Sequence, residues 1–183
     1  MRFVRASAAA LLLCVLQMAA CATTGAPPPA GTGRRQEGRL SPAAPADRPV
    51  QIAGRSPADA LASWRALIAP YSAKALATYP DAKRRYLAGL PPGETFFVTT
   101  ILVDGEGRFE QVFILVDRID GGVVTGRIFS DIARVHGFKA RDVYRCAESD
   151  VVDWLISKAD GSEEGNLVGK FVDNLPQANL TPM

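Results

Sequence analysis

Thr95-Phe96-Phe97-Val98-Thr99-Thr100-Ile101-Leu102-Val103 is followed by Asp104-Gly105-Glu106-Gly107, and then by Phe109-Glu110-Gln111-Val112-Phe113-Ile114-Leu115-Val116-Asp117. Two runs dense in β-branched and aromatic residues flank a glycine turn, which is a hairpin pattern. The pattern continues. Asp120-Gly121-Gly122 turns the chain into a strand from Val123 to Phe129, and Val143 to Ala147 and Val151 to Ile156 read as further strands. Asp160-Gly161 is another turn, Leu167 to Val172 reads as a closing strand, and Ser130 to Ala140 as a loop or one helical turn. Short strands joined by hairpin signals predict an antiparallel meander.

Upstream the period changes. Ser56 suits an N-cap, Pro57 the first helical position, and Asp59 the positive helix start. Leu61, Trp64, Ile68 and Tyr71 form an apolar stripe at helical spacing. Pro70 disturbs the end of this helix, Ala73 to Tyr79 is stopped by Pro80, and a third stretch runs from Asp81 to about Leu90. The expected class is α+β, with N-terminal helices packed on an antiparallel β-meander sheet over residues 56–175.

Arg2 and Arg5 precede an apolar run from Ala8 to Leu16, and Met18-Ala19-Ala20-Cys21 closes the segment. The layout is that of a secretory leader, residues 1–20. Its end resembles the lipobox of bacterial lipoproteins. That resemblance implies a diacylglyceryl group on the Cys21 thiol, cleavage before Cys21 and an acylated amine. Ala22, rather than aspartate, stands after the cysteine, which implies the periplasmic face of the outer membrane. Residues 21–55 are rich in Pro, Gly, Ala and Thr and read as a disordered tether, and residues 176–183 as a loose tail. The chain holds 21 Lys and Arg against 19 Asp and Glu. Without Arg2, Arg5 and the tether, 14 basic and 17 acidic residues remain. So mild an acidity argues against a nucleic-acid partner. The expected partners are the membrane, through the lipid, and an envelope protein.

The strand region resembles domain-of-unknown-function family 2314 from about Pro80 to Phe171. The resemblance rests on Val151-Val152-Asp153-Trp154-Leu155-Ile156, Asp160-Gly161 and Gly165-Asn166, on Asp142-Val143 and on Glu110-Gln111-Val112-Phe113. Arg141 replaces a family glycine, and a tryptophan usual near Glu110 is absent. The family supplies a fold expectation and no reaction.

Chemistry is sparse in the sequence. His136 stands alone before Gly137 and reads as a loop residue. No Gly-x-Ser-x-Gly elbow and no His/Cys spacing suited to a metal occurs, so no catalytic, metal or cofactor residue is assigned. With Cys14 in the leader and Cys21 under lipid, Cys146 is left unpaired, as a buried structural thiol. Asp160 to Asn166 reads as a solvated hairpin. Strand alternation sets Asp153 opposite Trp154, so a buried Trp154, sharing its face with Val152 and Ile156, predicts an exposed Asp153. Asp153 and Glu110 are the candidate recognition residues. The expected function is a non-catalytic binding or interaction module on a lipid anchor. The alternative is an envelope hydrolase using Asp153, Glu110 or His136, which requires the three to converge.

Overall fold

Ser56 caps a helix as its sequence suggests: its Oγ accepts the Asp59 N–H at 3.2 Å. The computed structural model describes residues 38–42 and 56–175. The leader, Cys21, the rest of 21–55 and residues 176–183 lie outside the described residues.

Helix α1 spans Pro57–Ala88 without a break, 32 residues that run through both Pro70 and Pro80. This corrects the three-segment expectation. A helix-interior proline costs about 3 kcal/mol, because it lacks an N–H and strands the carbonyl four residues back. Pro70 and Pro80 are exposed, as are Ala66 and Leu76, whose carbonyls they free. The inner face meanwhile buries Trp64, Ile68, Ala75, Tyr79 and Ala82 across both prolines. Each large buried side chain contributes about 1.5–3 kcal/mol, so packing outweighs the local penalty.

The strands are β1 (Thr95–Val103), β2 (Phe109–Asp120), β3 (Val123–Ile128), β4 (Val143–Ala147), β5 (Asp153–Ser157) and β6 (Glu163–Gly165). They form one six-stranded sheet, β4-β3-β2-β1-β5-β6, in which every neighbouring pair is antiparallel. The fold is α+β. The first four strands are the expected meander, but β5 crosses to the far edge of β1 after a short 3-10 turn, Glu148–Asp150.

Register assigns the faces. Val98 pairs with both Ile114 and Trp154, and these pack with Phe96, Val112, Val124 and Ile156 against Ala75, Tyr79 and Ala82 of α1. Trp154 is 7% exposed, and its Nε1–H reaches the Ala75 carbonyl at 2.9 Å. Thr99 pairs with Phe113 and Asp153 and so marks the opposite face. There Phe97, Phe113, Leu115 and Leu155 are buried, with Leu40 and Phe129 packed on them. Val152, expected beside Trp154, precedes β5 and packs instead with Trp64 and Ile68.

Two further corrections follow from this second covered face. Leu167–Asp173, read as a strand as far as Val172, is helix α2. It starts after Asn166 in the left-handed region, φ 57°, and its Val168 N–H donates to Asp153 Oδ2 at 2.6 Å. Phe171 stacks on Tyr71 of α1 at 4.0 Å. The tether reading fails for residues 38–42: Leu40 packs on the sheet, and Ser41 Oγ donates to the Gly161 carbonyl. Folding therefore draws in residues N-terminal to Ser56.

Candidate functional site

Asp153, expected in water, is fully buried. Strand alternation does turn it away from Trp154, but that face is covered too. Its Oδ1 accepts the Trp154 N–H at 2.7 Å and its Oδ2 that of Val168. Burial pushes its pKa up to about 6, against the lowering effect of those two bonds. The carboxylate latches α2 to the sheet.

Glu110 does the same on the other face. It pairs with Leu102 in β1, three residues from Thr99, and so lies on the α1 side. Its carboxylate accepts the N–H groups of Ala133 at 3.0 Å, Arg134 at 2.8 Å and Val135 at 3.3 Å. It holds the β3–β4 loop down and is itself buried. As recognition residues both candidates are turned inward and spent on their own chain.

Asp104, in the β1–β2 turn, secures the same loop by accepting the His136 N–H at 3.0 Å. Burial works to raise its pKa, but bonds from the N–H groups of His136, Glu106 and Arg108 and from the Arg108 side chain outweigh it and hold it at about 2. The His136 ring is exposed, 3.9 Å from Glu106. Asp153 and Glu110 thus sit on opposite faces and His136 on an outer loop, so the convergence a hydrolase requires does not occur. Cys146 is buried, and burial pushes its thiol up to about 11, which keeps it protonated and unreactive. Among the described residues no group of three His, Cys, Asp or Glu could hold a metal ion.

A cleft of about 460 Å³ lies elsewhere, between the first half of α1, the end of β1 and the β4–β5 connection. Its polar lining is Arg65, Ser72, Thr100, Tyr144, Ser149 and Asp150, above an aliphatic floor that includes Ile68 and Val152. The walls are tied together. Ser72 Oγ donates to the Val152 carbonyl at 2.7 Å, and Thr100 Oγ1 to the Asp150 carbonyl at 3.0 Å. Tyr79 and Lys83 of α1 grip Glu148 at 2.9 and 2.7 Å. Arg65 makes no ion pair with any described residue. The arrangement places a cation, a carboxylate and the Tyr144 and Ser149 hydroxyls around a small apolar floor.

Sequence reading missed this cleft. Arg65 is a charged neighbour of the α1 stripe and Glu148-Ser149-Asp150 a polar triplet between strands; only the crossing of β5 beyond β1 brings them together. Comparison with known protein families, curated proteins and solved structures returned no match.

Proposed function

We propose that the chain is a lipid-anchored envelope lipoprotein whose α+β domain is a non-catalytic binding module, with the cleft beside α1 as its ligand seat. The observation that carries the binding reading is the tied cleft, with Arg65, which makes no ion pair with a described residue, on one wall and Asp150 on another. It favours a ligand with an apolar body and an anionic group. The location rests on the lipobox-like segment ending at Cys21. Attachment is through acyl chains on Cys21, each buried CH₂ adding about 0.8 kcal/mol; among the described residues no helix is long and apolar enough to cross a membrane. The resemblance to family 2314 belongs to the same proposal.

Both halves are testable. Cys21→Ser should abolish incorporation of a palmitate analogue; unchanged labelling would remove the anchor. Ser149 is exposed at the cleft, so Ser149→Trp should fill the seat without unfolding the domain. Envelope material retained by the immobilised parent should be lost by Ser149→Trp at an unchanged melting temperature. Equal retention by both would remove the cleft from the function.

A further inference from the structure

The side of the sheet that carries Phe97, Phe113, Leu115 and Leu155 is covered over β1, β2 and β5 but open over β3 and β4. Register places Arg127 beside Leu115 and Val143, and Thr125 beside Arg118 and Arg145. These side chains therefore share the open half, while Val124 and Cys146 are buried on the other side of the same strands. Arg145 is exposed, and Val143 is 67% exposed. Arg141 joins them from the turn before β4, its guanidinium 4.6 Å from the Phe129 ring centroid.

Asp117 and Asp120 reach the same surface. Arg127 meets Asp117 at 3.6 Å and Arg118 meets Asp120 at 3.5 Å, long and solvent-accessible pairs that hold weakly. Arg141 and Arg145 make no ion pair with a described residue. The excess charge is positive, and the planar guanidinium fork matches phosphate oxygens.

We infer that this arginine surface lies against the bilayer, on the phosphate headgroups of anionic lipid. The choice of anion rests on the lipid-anchor reading. The strap enters the domain on this same side: a Cβ at Gly38 would stand 2.7 Å from a Leu115 Cδ and 3.2 Å from Phe129, the neighbours of Arg127 and Arg141. Cys21 precedes Gly38 by 17 residues, at most about 60 Å of chain. A lipid surface is thus the anion that the attachment brings to the arginines at high local concentration. Val143 adds an aliphatic contact at headgroup level. The cleft stays free, because Tyr144 of its lining projects from the other side of β4 than Arg145.

The test reconstitutes the full chain with vesicles of phosphatidylcholine, alone or with an equal part of phosphatidylglycerol, each holding a headgroup-quencher lipid. A fluorophore is carried on Val143→Cys or, as the control at the cleft, on Ser149→Cys. Both positions are exposed, whereas Cys146 is buried. Flotation with the vesicles reports the anchor, and quenching reports the docking. With phosphatidylglycerol present, quenching at position 143 should exceed that at position 149 several-fold. It should fall to the phosphatidylcholine level at high salt, and in a chain carrying Arg141→Gln with Arg145→Gln, at unchanged flotation. Flotation with equal quenching at the two positions would overturn the inference and leave the anchor standing. So would quenching at position 143 that neither salt nor the arginine changes reduce. Chains that do not float would overturn both.

Discussion

The two faces of the sheet are closed in different ways. One is closed by the 32-residue helix α1, whose side chains interleave with Phe96, Val98, Ile114, Trp154 and Ile156. The other is closed by small pieces from distant parts of the sequence, the Gly38–Pro42 strap and the seven-residue α2, which itself packs on Trp64, Ile68 and Tyr71 in the first half of α1. The first closure is continuous and rests on large buried side chains. The second rests on a few: Leu40, Val168, Phe171 and the Asp153 latch. Covering both faces is what buries Asp153, and the crossing of the chain from one edge to the other is what opens the cleft.

The contrast implies a graded response to substitution. Trp154→Ala empties the α1 face of its largest strand residue and should cost about 3–5 kcal/mol, measured by urea denaturation. That is a large share of the roughly 5–15 kcal/mol holding a typical domain. Parent-like stability would mean that α1 is not the principal closure.

Asp153 should impose a pH dependence on the second face. Its folded pKa of about 6 lies above its ordinary 3.8, so between these values the folded state binds the extra proton. Stability should therefore rise as pH falls from 7 towards 4, by an amount on the order of 2 kcal/mol, and be lost again as pH rises through 6. Asp153→Asn should abolish that slope. Below pH 4 the trend reverses. Glu164, held at about 2 by the Arg85 and Lys158 side chains against burial, and Asp104, also at about 2, lose their charge-dependent contributions as pH falls through their folded values. Unchanged slopes in Asp153→Asn would show that this carboxyl titrates alike in the folded and unfolded chain and that the latch is not the source of the pH dependence.

Leu40→Ser should cost less, about 1–2 kcal/mol, because Leu40 is only half-buried. A chain beginning at Ser56 should melt lower than one beginning at Gly38, the reverse of what a pure tether would give. Ser72→Ala removes one neutral hydrogen bond across the cleft and should cost about 1 kcal/mol, with faster amide exchange confined to residues around Val152.

The same contrast governs what could be read in advance. β1 and β2 were legible because branched runs and glycine turns are local signals; β1 has the bounds its sequence suggested. The continuity of α1 was not, because the proline penalty is local while its compensation, Trp64 through Ala82, is tertiary. Leu167 to Val172 is an apolar run that fits a strand or a helix. Asp153, fifteen residues away, decides it by capping Val168. Trp154 was legible as core from its neighbours, whereas the burial of Asp153 goes with the docking of α2 through Val168, which strand alternation does not report. For the cleft, no stretch of sequence brings Arg65, Thr100 and Asp150 together.

An open, polar-lined cleft on one side and a strap-covered apolar face on the other lead to opposite results in a single measurement. A benzophenone amino acid is placed at Ser149, at the cleft, or at Arg39, exposed on the strap, and the full chain is irradiated in living cells. A binding module seated at the cleft gives discrete adducts from position 149 and none of comparable yield from position 39. Adducts from position 39 with none from position 149 would contradict the assignment and move the function to the strapped face.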